Sequence, residues 1–229
     1  MYIISNDRLI KRNNRLGLIA TIAGLVVLGV GMYISFTRPK LISISMLALL
    51  AGFILSQVGI YYSNRWGRSP RPDEVLSGAL KSLDNKFSLY HYCSPVSHLL
   101  VGPSGIWILQ PHIQKGTITY EKGRWKQRGG NWYLKIFAQE GLGRPDVEVN
   151  GEVNALSKFL KENFPDEELE INTALVFMHP KVEIAIPEDA EPPAETIHIT
   201  KLKDFLRKSV KTKALEQEKI TQITNLLNP

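Results

Sequence analysis

Two long stretches near the start of the chain contain no charged residue. Residues 16–36 read LGLIATIAGLVVLGVGMYISF, and residues 41–62 read LISISMLALLAGFILSQVGIYY. At about 1.5 Å of rise per residue, each helix would reach about 30 Å, the hydrocarbon thickness of a bilayer. Core helices of soluble proteins rarely stay uncharged for so long twice in succession. A cleaved signal peptide has a shorter apolar region and a small-residue cleavage site, and no second span follows it at once. The pattern predicts a transmembrane hairpin over residues 16–62, preceded by a flank of residues 1–15 and followed by a linker of residues 63–72. Thr37, Arg38, Pro39 and Lys40 form the whole connection, so the two helices must be antiparallel neighbours. Ala20 and Gly24, and Ala48, Gly52 and Ser56, recur at four-residue spacing, which lets helix backbones approach closely in lipid.

Beyond the linker the pattern alternates between helical and strand periods. Asp73 caps a helix with Val75, Leu76, Ala79, Leu80 and Leu83 on its apolar face. Residues 87–93 read as a strand. Residues 98–110 (HLLVGPSGIWILQ) hold two apolar runs around Gly102-Pro103-Ser104-Gly105, which predicts a hairpin of well-buried strands. Residues 116–120, 124–127 and 132–137 suggest further strands between Gly-rich turns. Residues 147–164 have helical spacing at Val149, Val153, Leu156, Phe159 and Leu160. Residues 171–178 form a buried strand, and 183–195, acidic and Pro-containing, read as loop. A short edge strand at 197–199 precedes a helix capped by Thr200 and running to about Ser209. A last helix covers residues 214–227. The expected fold class is α/β, one domain over residues 73–209 with a C-terminal helix in 210–229.

Charge sharpens this division. The 229 residues carry 28 basic and 22 acidic side chains, a formal +6. Nine basic residues and one acid fall in residues 1–72, leaving 19 and 21 in residues 73–229, a net of −2. The surplus that resembles a nucleic-acid footprint is therefore concentrated around the spans. Four basic residues lie before the first span, two in the turn and three in residues 63–71. An excess of Lys and Arg marks the cytoplasmic side. The expectation is an integral membrane protein of two spans, with its N-terminus and C-terminal domain in the cytoplasm. The single Cys93 fits a reducing compartment. No ionisable residue lies within either span, so no ion path is indicated.

The order of these elements, with His98-Leu-Leu-Val-Gly-Pro-Ser-Gly-Ile-Trp-Ile-Leu109, then Gly116-x-Ile118 and Trp125, resembles the nuclease-related domain (NERD) family. The resemblance covers roughly residues 73–209 and implies a restriction-endonuclease-like core with a PD-(D/E)XK active site. The family pattern has a Glu on the first helix, matched by Glu74. It has an Asp just before the hairpin His, where Ser97 stands. At the end of the second hairpin strand it has Glu-x-Lys, where this chain has Gln110-Pro111-His112. Carboxylates hold Mg²⁺, the metal activates water, and Lys neutralises developing phosphate charge. Gln110 and Ser97 supply uncharged oxygens, and neutral His112 prefers softer metals. Pro111 removes a backbone donor, so the strand should end there or lie at an edge. The resemblance thus implies a degenerate member, a non-catalytic interaction or binding module without a cofactor. Mg²⁺ enters only in the alternative reading, a membrane-tethered nuclease or nucleic-acid-binding protein.

Other chemistry is sparse. The five histidines and Cys93 show no zinc-ligand spacing. Lys115, Lys122, Arg124, Lys126, Arg128 and Lys135 are interleaved with Tyr120, Trp125, Trp132 and Tyr133. Such a surface suits single-stranded nucleic acid or anionic lipid headgroups. The plainer reading is a solvated hairpin face with its aromatics in the core. The partners expected are the bilayer, with nucleic acid, lipid headgroups or a protein as candidates for the domain.

Overall fold

The computed structural model describes residues 1–129, 141–212 and 214–227. The chain forms two units. One is the helical hairpin between Asp7 and Arg71, and the other joins Met1–Asn6 to the described residues from Pro72 onward.

In the hairpin unit, helix α1 (Asp7–Thr37) and helix α2 (Ile42–Tyr62) are joined by a 3-10 turn at Pro39–Leu41. Both are long and apolar enough to cross a membrane. The residues they bury are mostly the smallest: Gly17, Gly24 and Gly31 on α1, and Ser45, Gly52 and Gly59 on α2. Seven residues are nearly two turns, so each trio makes one straight stripe. A Cβ at Gly24 would sit 2.8 Å from the Ser56 nitrogen, and one at Gly52 would sit 2.8 Å from the Leu28 nitrogen. The Ser45 hydroxyl donates to the Gly31 carbonyl at 2.7 Å, tying the helices near the turn. Gly24, Gly52 and Ser56 thus belong to the contact as expected, but its full repeat is seven residues, and the four-residue spacing catches only part of it. The large side chains face outward: Leu25 is 62% and Phe36 80% exposed. After α2, Ser63–Gly67 continues as a π-helical turn, which buries Trp66.

The α/β unit is built on a six-stranded mixed sheet in the order β1-β2-β3-β4-β7-β9. Its strands are β1 (Tyr2–Ser5), β2 (Ser88–His91), β3 (His98–Gly102), β4 (Gly105–His112), β7 (Ile171–Phe177) and β9 (Glu195–His198). Strands β2, β3 and β4 are antiparallel, while β1 lies parallel to β2, and β7 and β9 continue parallel to β4. Strands β3 and β4 read as unbroken apolar runs because both faces are covered. On one face Leu89, Leu100, Trp107, Leu109, Ala174 and Val176 meet α3 (Pro72–Leu80) and α5 (Ile199–Thr212). On the other, Tyr90, Leu99, Val101, Ile106 and Ile108 meet α4 (Pro145–Asn163) and α6 (Gln217–Leu227). A smaller sheet, in the order β6-β5-β8, joins β5 (Gly116–Glu121), β6 (Arg124–Arg128) and β8 (Val182–Ile184). Its Ile118 packs with Val149, Leu175 and Phe177 in a third cluster.

Several expectations need correction. The N-terminal flank is not a free flank: Tyr2–Ser5 is an edge strand of the main sheet. Helix α1 starts at Asp7, nine residues before the uncharged run, because its first turns are polar but helical. The linker is partly helical, and α3 begins at Pro72. Residues 92–97 turn between β2 and β3, so the strand expected to reach Cys93 stops at His91. Val182–Ile184, at the start of the acidic segment expected as loop, pairs in parallel with β5. The break expected at residue 210 falls inside α5, and α6 packs into the second core cluster. Strand β4 does not stop at Pro111. Its register with β3 ends at Ile108, whereas β7 stays paired through His112, so the proline occupies a stretch flanked on one side only. The strand expected over residues 132–137 lies outside the described residues.

Overpacking the glycine stripe should loosen the hairpin. Gly24→Leu should lower stability in detergent by roughly 1–3 kcal/mol. Gly29→Leu should leave it nearly unchanged, because nothing lies within 4 Å of a Cβ there. Thermal unfolding of the two variants checks this.

Candidate functional site

Gln110 and His112 project from one face of β4 by the two-residue period of a strand, and both are buried. Ser97 stands immediately before β3. The structure brings Ser97 and Gln110 together through a residue that the motif does not contain, Glu152 of α4. Glu152 Oε1 accepts the Ser97 backbone N–H at 3.2 Å, and Oε2 accepts the Gln110 side-chain amide at 3.2 Å. Glu152 comes three residues after buried Val149 and four before buried Leu156, so it falls on the face that α4 turns to the sheet. That position within an otherwise apolar face was the signal available in the sequence. The other Gln110 amide atom, Oε1, is buried without a hydrogen-bond partner.

His112 stacks on Phe177, with centroids 5.2 Å apart and planes at 24°. Burial pushes its pKa down to about 4, only partly opposed by a hydrogen bond with Gln114. The ring is therefore neutral at pH 7. It supplies no cation where the family pattern has lysine. Its Nε2 is buried without a partner. Glu74 is exposed in the first turn of α3. That helix covers the opposite face of the sheet from Gln110, and its Ser77 side chain reaches interior polar groups. Ser77 Oγ lies 2.9 Å from His91 Nε2, and His91 Nδ1 lies 2.8 Å from His98 Nδ1. His91 and His98 are cross-strand partners in β2 and β3, and both are buried. Nothing in the spacing of the histidines announced this pair, because only the antiparallel register brings positions seven apart into contact. Among the described residues, no group of three or more His, Cys, Asp or Glu side chains is arranged to hold a metal ion.

The basic hairpin is β5–β6. Arg124, Lys126 and Arg128 alternate outward along β6, while Trp125 and Gln127 turn inward. Trp125 packs against the third core cluster and lies 4.9 Å from the Tyr120 ring. Glu121 pairs with two of the cations, Lys126 at 2.7 Å and Arg128 at 3.1 Å. The hydrogen bond from Lys126 holds the Glu121 carboxyl below its ordinary range. Lys122 occupies the turn in a left-handed conformation (φ 52°) and is exposed. Lys135, with Trp132 and Tyr133, lies outside the described residues. The outer face of the hairpin is thus a mixed-charge surface on which Glu121 offsets part of the basic run.

No family model, no curated protein and no solved structure matches this chain.

The buried imidazole of His112 makes stability depend on pH. Its folded-state pKa is depressed, so between about pH 6.5 and pH 4 the unfolded chain binds the extra proton and the folded chain does not. This contribution is absent above that window and destabilises progressively as pH falls through it, at up to about 1.4 kcal/mol per pH unit. His112→Phe keeps the ring stack and should flatten the acid limb of the stability curve by close to one proton. Chemical denaturation across that pH range measures the slope.

Proposed function

We propose that the chain is an integral membrane protein with two spans, its N-terminus and C-terminal domain in the cytoplasm. We propose further that its α/β unit is a degenerate nuclease-related domain of restriction-endonuclease-like fold, serving as a non-catalytic binding module. The observation that carries this reading is the use made of Glu152. Both of its carboxylate oxygens accept hydrogen bonds from amide donors, Ser97 N–H and Gln110 Nε2. A nuclease would need carboxylates clustered on a metal and a cation on the phosphate. Here the motif positions other than Glu74 hold a hydroxyl, an amide and a neutral imidazole.

The element order from α3 through the β3–β4 hairpin, α4, β7 and β9 to α5 supports the family reading. Outward-facing Leu, Ile, Val and Phe side chains on α1 and α2 support the spans, because a water-soluble helix pair would bury them. The charge asymmetry of the flanks supports the orientation. Pairing of Tyr2–Ser5 with Ser88–His91 supports it too, since residues before the first span and after the second then share one compartment.

The full chain, purified in detergent and incubated with plasmid and Mg²⁺ or Mn²⁺, should cut no faster than a mock preparation. Metal-dependent cutting that disappears in Glu152→Ala or Glu74→Ala would overturn the non-catalytic reading. For orientation, a membrane-impermeant maleimide should label Lys40→Cys in intact cells, in a Cys93→Ser background, and Lys122→Cys only after permeabilisation. The reverse pattern would place the domain outside.

A further inference from the structure

A cavity of about 440 Å³ opens between the β5–β6 turn and the start of α4, lined by Gly123, Arg124, Trp125, Gly143, Arg144 and Asp146. That volume lies in the range of small-molecule sites, roughly 300–1,000 Å³. Local backbone chemistry shapes it. Gly123 and Gly143 are both left-handed, at φ 72° and 70°, and a Cβ at Gly123 would meet nothing within 4 Å. Only glycine takes these conformations without strain, so the two turns leave bare backbone on the cavity wall.

The charges around it are unevenly used. Arg124 is the register partner of Glu121, yet both Glu121 oxygens are taken by Lys126 and Arg128. Arg124 is left with no hydrogen bond or ion pair among the described residues. Across the cavity, Arg144 lies 3.6 Å from Asp146. Among the described residues the lining carries two guanidinium groups and the Asp146 carboxylate, and a Cβ at Gly143 would sit 3.5 Å from the Glu148 carboxylate. Trp125 is half-buried, with an indole N–H that is buried and lacks an acceptor. Guanidinium forks match phosphate oxygens, and an indole offers a surface to a planar ring.

We propose that this cavity binds a nucleotide bearing a single phosphodiester charge, with Arg124 and Arg144 on the phosphate and Trp125 against the base. With Asp146 in the lining and the Glu148 carboxylate beside Gly143, a monoanion meets less repulsion than the dianion of a phosphomonoester. The inference rests on the reading of the α/β unit as a binding module and gives that module its ligand class. Anionic lipid shares the phosphodiester but has no ring for Trp125.

The test is calorimetric titration of the full chain in detergent with 3′,5′-cyclic AMP, AMP, adenosine, a fifteen-residue oligothymidylate and, in nanodiscs, added anionic lipid. Cyclic AMP should bind at least tenfold more tightly than adenosine and more tightly than AMP. Arg124→Ala should weaken it tenfold or more, and Trp125→Phe, which keeps a core ring, severalfold. Lys201→Ala, exposed on α5 and outside the cavity, should leave it unchanged. Failure of cyclic AMP to bind, equal binding by Arg124→Ala, or a preference for AMP, oligonucleotide or lipid would overturn the proposal. Plasmid cleavage by the same preparation would instead overturn the non-catalytic reading, so the two failures are distinguishable.

Discussion

The α/β unit depends on strand β4 being covered on both faces and along most of its length. Ile106 and Ile108 face α4 and α6, and Trp107 and Leu109 face α3 and α5. On such a strand a buried polar group left without a hydrogen bond costs about 1–3 kcal/mol. The apolar alternation ends at Gln110. There β3 is no longer paired, Pro111 removes a donor, and polar side chains enter the interior. Glu152 from the opposing helix meets the Gln110 amide and the Ser97 N–H. Where the apolar run of β4 ends, the fold thus places a structural polar contact. One carboxylate serves two packing elements, the β4 end and the loop before β3.

The hairpin unit obeys a different constraint. Its two helices are long and apolar enough to cross a membrane, and in such a setting apolar burial would not drive them together, so contact would have to come from close packing and interhelical hydrogen bonds. Gly17, Gly24 and Gly31 against Ser45, Gly52 and Gly59 supply the first, and Ser45 to Gly31 the second. Most of the bulky side chains are then released to the outside, a distribution that would be costly in water. The basic flanks frame these helices, while the α/β unit keeps only local basic character. On its β5–β6 hairpin, Glu121 draws Lys126 and Arg128 together and leaves Arg124 beside the cavity.

Much of this architecture was legible because it rests on short-range pattern. The uncharged runs marked α1 and α2, the Gly-Pro-Ser-Gly turn marked the β3–β4 hairpin, and the apolar spacing from Val149 to Leu160 marked α4. What escaped depends on contacts distant in sequence. Tyr2–Ser5 is too short and too exposed to announce a strand, and it becomes one only because β2 offers a free edge. Val182–Ile184 pairs with β5 from about 65 residues away. Glu152 reads as one more charge on a helix until the orientation of α4 is known. The His91–His98 contact exists only in the register of β2 and β3. Ser97 and Gln110 are joined through Glu152, a residue that no spacing in the sequence links to them.

Glu152 is either a hydrogen-bond acceptor in the folded protein or a metal ligand in waiting. Amide hydrogen exchange at Ser97, measured on the full chain with and without millimolar Mg²⁺ or Mn²⁺, separates the two directly. If Glu152 holds the Ser97 N–H, that amide exchanges slowly, loses its protection in Glu152→Ala, and is indifferent to added metal. If metal alone releases the Ser97 amide to exchange in the unaltered chain, the carboxylate is being recruited as a ligand, and the structural role assigned to Glu152 is contradicted.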